Sequence, residues 1–524
     1  MRFTSLAVEM IRARPALVFW LAVLAQAALW FVVPVVFYAG PPGDLAQALV
    51  IGREYQLGSE AGPPLAFWLA DVAYRLVGGH MFGVYLLAQV CFVVTLWAVF
   101  SLGRLVAGAQ QAVIAALLTV TISAFSFPGV EFGPSILARP LWALILLHAW
   151  QVAGIGQRKA WFALSFEIGL LFLTTAVAGL LIGLLLIFFV ASERGRRALL
   201  SFDAVFALVV IGVLALPFLI WVLRADGGGM MPDWPAPADV FDNLLRWPSL
   251  FAGVVLALAG MGLLVLFNWN RVSPRVDGVA DDAPTILRPP LDPFARAFVY
   301  FAAIVPVIAA SLLAALTGQP RVFGGAGVLL APTGLAVVVA AGDVIHLRRQ
   351  HILRTVWAGV VALPALFVVA VSLLQPWTTG AEVKTMMPAG EIGAFFAASF
   401  ERRTGQPLAA VAGDPALAAV VALAAPGRPR AFNDAAPERT PWHTRTEFDR
   451  TGGVVVWRAS DTAGTVPDDI RQRFPALTAE VPRAFERTVQ GRQPLLRIGW
   501  AIVRPAGMAE SVPQPSTPQP PAPR

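Results

Sequence analysis

Residues 38–81 read YAGPPGDLAQALVIGREYQLGSEAGPPLAFWLADVAYRLVGGHM, and the reading of this stretch orients everything after it. It follows an apolar run at 16–37, close to the roughly 20 residues a helix needs to cross about 30 Å of hydrocarbon. Within the stretch, 63–77 is apolar but short, and it carries Asp71 and Arg75. A charge held at a bilayer centre costs at least about 2.5 kcal/mol. The segment therefore reads as a helix lying at the interface. Residues 39–81 become one long outer loop with two helical pieces, 44–57 and 64–77.

With 63–77 removed from the count, eleven apolar segments remain as spans. They are 16–37, 82–103, 110–127, 136–154, 160–174, 177–192, 203–223, 248–267, 296–316, 327–345 and 355–374. The first is read as an uncleaved helix, since its exit, Tyr38-Ala39-Gly40-Pro41-Pro42, offers no small-x-small cleavage site. The pair within 160–192 is the tightest, with two helices meeting at Thr174 and Thr175. With the N-terminus inside, 16 of the 22 Lys and Arg before residue 376 fall on the inner side and six on the outer. That is the positive-inside distribution, and it requires an odd number of spans. The expectation is a multi-pass bacterial inner-membrane protein with a cytoplasmic N-terminus and a periplasmic C-terminal domain.

Composition supports that division. Of 524 residues 57% are hydrophobic and 14% charged, far from a soluble average near 25% charged. Residues 376–524 hold 31 of the 71 charged residues, so a water-soluble part follows the membrane part. The fold class expected is a polytopic α-helical membrane protein with about eleven transmembrane helices, two interfacial helices in the first outer loop, and a small C-terminal α/β domain. The domains are 1–375 in the membrane, 376–508 outside, and a proline-rich disordered tail at 509–524. In the outer domain, 391–403 has helical periodicity and 408–412, 453–457 and 495–503 read as strands. Cys91 is the single cysteine, which excludes a disulfide framework and a cysteine metal site. The basic excess sets topology, so no nucleic-acid partner is inferred.

No nucleotide-binding loop, metalloprotease motif or nucleophile elbow occurs in a suitable context. His80, His148, His346, His351 and His443 have no metal-ligand spacing. What remains is acids and arginines on the outer side. Asp44, behind Pro41-Pro42-Gly43 and ahead of a helical pattern, reads either as an N-cap accepting backbone N–H bonds or as a general base. The two roles are compatible. Glu54, Glu60 and Asp71 share its loop and read individually as solvated acids. Glu131 is the better second acid, because the short loop 127–131 holds it at the mouth of the bundle. Arg139 lies one turn inside a span, where it must face an acid, a phosphate or a cavity. Arg321 and Arg53 are further cations of the outer side. Glu167, in an apolar helix, reads as paired within the bundle.

The stretch Gly52-Arg53-Glu54-Tyr55-Gln56-Leu57-Gly58 followed by Pro63-Pro64-Leu65-Ala66-Phe67-Trp68 resembles a signature of the GT-C glycosyltransferases. More closely, it resembles their bacterial branch, akin to the protein O-mannosyltransferases and the lipid A aminoarabinose transferase. The outer-domain pieces 407–414 and 428–432, Pro441-Trp442 and 453–457 are similar to that branch as well. The resemblance implies transfer of a sugar, with inversion, from a polyprenyl-phosphate donor to a glycolipid, polysaccharide or protein acceptor at the outer face of the membrane. It places Asp44 on the family's catalytic aspartate, with Glu131 the second acid by its position alone. Arg139, Arg321 and Arg53 become candidates for holding the donor phosphate, by position. Glu54 and Glu60 would position the acceptor or the loop.

The chain departs from the family pattern at three places. Gln47 stands where a second acid is usual, Ala61-Gly62 where a Lys or Lys-His precedes the two prolines, and Glu131-Phe132-Gly133-Pro134-Ser135 where polar residues are common. Other readings of the same residues are a catalytically impaired relative that binds lipid-linked glycans, and a transporter. No cofactor or metal ligand is read from the sequence; a divalent cation beside the phosphate is the one addition left open.

Overall fold

A computed structural model describes residues 3–506 apart from 225–238, 269–284, 289, 348–349, 380–382, 460, 476, 490 and 493–494. The tail at 509–524 and the glycine run Gly227-Gly228-Gly229 lie outside the described residues. The described residues fall into two compact units, 1–37 with 55–371 and 38–54 with 372–506. The long loop is thus shared between them.

The first unit is helical. Among the described residues seven helices are long and apolar enough to cross a membrane: Pro15–Phe37, Phe82–Ala107, Pro134–Ile155, Phe202–Arg224, Val240–Ala257, Pro293–Leu316 and Gln350–Thr378. Ala178–Ala191 and Glu193–Leu199 make an eighth if that pair, bent by 110°, counts as one span. The first helix starts on Pro15, whose missing N–H costs nothing at that position. Gly108, at φ 85°, ends Phe82–Ala107 and opens Ala109–Val120, a turn that a side chain would strain. In Phe202–Arg224 only 6% of the most apolar window is buried. Such a surface suits lipid and would not stay dispersed in water.

Several segments differ from their sequence reading: 110–127, 160–174, 177–192 and 248–267 hold shorter or broken helices, so among the described residues seven helices, or eight with the bent pair, are long enough where eleven crossings were expected. Residues 327–345 do not form one span: Gly325–Leu329 and Thr333–Ala340 are separate short helices. Gly342, at φ 96°, then turns the chain into a strand. That strand, β2 (Val344–His346), pairs antiparallel with β1 (Thr285–Leu287). Arg288, 8% exposed, ties the ribbon by an ion pair to Asp343 at 3.0 Å. The N-terminal residues also form a helix, Phe3–Ala13, with Val8 buried and Glu9 and Arg12 exposed.

The second unit is built on a sheet of β3 (Ala410–Gly413), β4 (Arg430–Ala431), β5 (Gly453–Arg458), β6 (Thr478–Ala479), β7 (Arg483–Phe485) and β8 (Leu496–Val503). The order is β4-β3-β5-β8-β6, with β7 also on β8. β3 is parallel to β4 and β5, whereas β8 runs antiparallel to β5, β6 and β7. Both faces are covered. Phe396, Phe400, Val421 and Trp500 pack on one side, and Phe432, Phe448, Trp457 and Phe474 on the other. The helix Pro415–Ala424 starts on Asp414, whose carboxylate accepts from Leu417 N at 2.9 Å. Its ten residues are apolar all round because it is covered on more than one side: it packs on β3 and also on the loop helix Leu45–Arg53.

Candidate functional site

The sequence-derived candidates divide between the two units, and each set is described by itself. Asp44, Arg53 and Glu54 belong with the sheet unit. Backbone bonds fasten their segment: Ala39 N and Gly40 N donate to Thr385 O at 2.8 and 3.0 Å. A Cβ on Gly40 would lie 2.8 Å from Met387 O, so the chain can approach only as glycine. The helix Leu45–Arg53 buries Leu45, Ala46, Ala48, Leu49 and Val50. This seats its exposed end residues against a folded core.

Asp44 occupies the N-cap of that helix and is exposed. The expectation that its carboxylate accepts backbone N–H bonds is not met: it makes no side-chain cap bond. At φ −96°, ψ 13° the residue lacks the extended conformation from which a cap side chain reaches the N–H groups of the first turn. The carboxylate is therefore not committed to the helix end. Gln47 is exposed one turn further on. Arg53 lies in the last turn, where a cation complements the helix dipole. Glu54, the C-cap, points its Oε2 to Arg430 Nη2 at 3.4 Å, with its side chain 8% exposed. Arg430 also donates to Trp442 O at 3.3 Å. Glu54 is not a solvated acid; it anchors the loop helix to the sheet unit.

Glu60, Glu131, Arg139 and Arg321 belong to the helical unit. Ser59 and Gly62 exchange backbone bonds at 3.2 and 3.0 Å, which places Glu60 in a tight turn closed by Gly62 at φ 131°. Leu65 N donates to Leu173 O at 3.0 Å. Glu131 is exposed between Val130 and Phe132, both buried, so the loop pushes it outward. Arg139 Nη1 donates to Ala124 O at 3.0 Å, and its guanidinium lies over the Phe125 ring at 5.8 Å. Its Nε is buried with no hydrogen-bond partner, and among the described residues it has no carboxylate. Of the roles open to it from sequence, the carboxylate pair is not the one observed. Gly327 packs against it so closely that a Cβ there would sit 2.3 Å from Nε. Arg321 is exposed, shortly before that glycine.

The loop motif turns out to be wiring. Tyr55, at φ 48°, donates its hydroxyl to Asp71 Oδ2 at 3.1 Å. Arg75 Nε reaches the same oxygen at 2.6 Å, and its guanidinium lies 5.6 Å from the Tyr55 ring centroid. Asp71 is fully buried, which corrects its reading as a solvated acid: an arginine one turn away and a tyrosine hydroxyl satisfy it. Trp68 Nε1 donates to Gln56 O at 3.1 Å. Gly58 leaves room for Trp221, which a Cβ would meet at 2.4 Å. Only the spacing of Asp71 and Arg75, four apart, signalled any of this. Elsewhere in the bundle, His148 Nδ1 and Glu167 Oε1 are 2.8 Å apart. Among the described residues no three His, Cys, Asp or Glu side chains gather where they could share a metal ion.

Residues 61–221 match the family model of dolichyl-phosphate-mannose-protein mannosyltransferase. Over nearly the whole chain the fold is similar to that of ArnT, a solved bacterial protein. Two solved structures carry the likeness over nearly the whole chain. ArnT from Cupriavidus metallidurans in the apo state is 14% identical with a TM-score of 0.59, covering 95% of this chain and 100% of that one. The same protein bound to undecaprenyl phosphate is 14% identical with a TM-score of 0.58, covering 94% and 98%. A search of the curated proteins finds no sequence match.

Proposed function

We propose that this protein is a membrane glycosyltransferase that takes a sugar from a polyprenyl-phosphate donor and passes it, with inversion, to a hydroxyl of an envelope glycolipid, polysaccharide or protein. The observation that carries the reading is Asp44: an exposed carboxylate, fixed by a buried helix and used by no capping bond. A base that must take a proton from an attacking hydroxyl needs that freedom and that fixed position. The fold shared with ArnT and the family match over 61–221 support the class, and undecaprenyl phosphate in the ArnT structure supports a lipid-phosphate donor.

In this reading Asp44 removes or orients the acceptor proton as the sugar–phosphate bond breaks. The polyprenyl phosphate then leaves with the electron pair, and cations must stabilise its charge. Arg139 is the first candidate, since a buried guanidinium without a carboxylate is an incomplete ion pair; Arg321 and Arg53 are the others. Glu131 is a second acid, Glu60 an acceptor contact, and Glu54 a positioning residue. The proposed topology has eleven crossings, a cytoplasmic N-terminus and a periplasmic C-terminal domain in the bacterial inner membrane. Domain limits are proposed at 1–375 and 376–508, followed by a disordered tail.

The test is mass spectrometry of envelope glycolipids from cells lacking the protein, complemented with wild type or Asp44→Asn. The expected result is a sugar missing from one lipid or polysaccharide and restored by wild type alone. Equal restoration by both would leave Asp44 without a catalytic role and favour a lipid-linked-glycan binding protein.

A further inference from the structure

The helical unit contains a cavity of about 1130 Å3 that the proposed transfer chemistry does not use. Ordinary ligand pockets run to about 300–1,000 Å3, so it has room for a long chain. Its walls come from the N-terminal helix, Pro15–Phe37, Ala109–Val120, Ala259–Asn268, Thr333–Ala340 and Gln350–Thr378. Leu21, Ala25, Leu118, Leu264 and Val337 make it apolar along its length. Its polar side chains are unevenly placed. Asn268 closes its helix, Gln350 opens the last one with Arg354 one turn further on, and Ile345 of the β1–β2 ribbon shares the lining; Gln26 stands in the middle of Pro15–Phe37. Arg354 is exposed, and among the described residues no ion pair to it occurs. Arg12, by contrast, donates to Thr285 O of the ribbon.

An apolar slot with one cationic end matches an amphiphile that carries one negative charge at its head. We propose that this cavity holds an anionic glycerophospholipid, acyl chain along Leu21, Ala25 and Leu264, phosphate at Arg354. Basic pockets between membrane helices bind such headgroups, each cation near the surface contributing on the order of 1 kcal/mol. The site is independent of Asp44 and of the transfer reaction, so its failure leaves the proposed function standing.

The experiment is native mass spectrometry of the full chain released from detergent. It is titrated with phosphatidylglycerol or phosphatidylcholine of identical acyl chains. The expected result is one tightly held phosphatidylglycerol on wild type and about fivefold weaker binding on Arg354→Gln. Ala25→Trp, which fills the slot from an exposed position on its helix, should hold none. If Ala25→Trp does not fold, Ala341→Leu adds bulk to another lining segment and should reduce binding instead. Equal binding of both headgroups, or unchanged lipid on a folded slot-filling variant, would overturn the proposal. So would one-for-one displacement of phosphatidylglycerol by undecaprenyl phosphate, which would make the occupant an isoprenoid.

Discussion

Residues 38–54 and 55–81 are consecutive, yet they are held by different means. The first half is bound to the sheet unit by backbone bonds to Thr385, by apolar packing on Pro415–Ala424 and by one partly exposed ion pair, Glu54 with Arg430. The second half is locked into the helical unit through a buried acid, a strained tyrosine and a glycine that admits a tryptophan. The half that carries the exposed, uncommitted acid is fastened by apolar burial and backbone bonds, with only a partly exposed ion pair among its charged contacts. The half that carries the recognisable motif is fastened by a buried polar network. A family signature can thus mark the scaffold of a site more strongly than its chemistry.

The sharpest way to separate the halves is Asp44→Asn. Asn caps a helix as well as Asp does, and Asp44 makes no side-chain cap bond. The thermal midpoint should therefore stay put while transfer falls by about 10²–10⁴-fold, the usual contribution of a general base. A matched loss of midpoint and rate would erase the contrast. Next comes Asp71→Ala, which should act in the reverse sense. It removes a fully buried acceptor from Tyr55 and Arg75. Arg75 is 52% exposed and can be rehydrated, so the cost is about 1–3 kcal/mol and not the full price of a buried orphan charge. Gly58→Ala should cost a similar or smaller amount, about 1–3 kcal/mol, since the Trp221 ring must shift. Both are read by thermal unfolding in detergent.

Glu54 and Arg430 test the first half more gently. Arg430 is 44% exposed, so either partner's loss should change stability by only about 0.2–1 kcal/mol. If the pair positions the helix behind Asp44, Glu54→Gln and Arg430→Gln should each slow transfer, and the double variant should be no slower than the worse single. Additive losses would show two unrelated roles.

What the sequence made legible follows the range of the forces involved. Apolar runs such as 82–103 or 296–316 declare themselves locally, because burial in lipid needs no partner. The exclusion of 63–77 from the spans was readable from Asp71 and Arg75, and the helix found there, Leu65–Leu76, is only twelve residues long. The attachment of 38–54 to the sheet unit was not readable. It depends on two short helices, Leu45–Arg53 and Pro415–Ala424, that meet across more than 350 residues. The strands β4, β6 and β7, of two or three residues, are too short to show alternation. For Arg139 the sequence demanded company inside the membrane, but only the fold could reveal a carbonyl of Ala124 and a bare glycine in place of an acid.

The smallest predicted effect concerns pH, and it bears on the first half alone. His443 is 5% exposed, wedged by the rings of Phe432 and Phe448. Burial holds its imidazole below the ordinary value of 6.5, Arg430 adds to that, and Glu447 at 3.8 Å opposes it. The folded state then binds fewer protons than the unfolded one just below pH 6.5, so its stability falls as pH drops through that value. Asp434 acts in the other sense. Burial raises its carboxyl despite Arg473, so its contribution is present at acid pH and lost as pH rises. Comparing wild type with His443→Phe in the same buffers cancels Asp434 and isolates the imidazole. Wild type should lose more thermal midpoint than His443→Phe between pH 7.5 and about 5.5. The midpoint deficit of Asp71→Ala should not change. A shrinking Asp71 deficit would mean that the two halves of the loop are coupled after all.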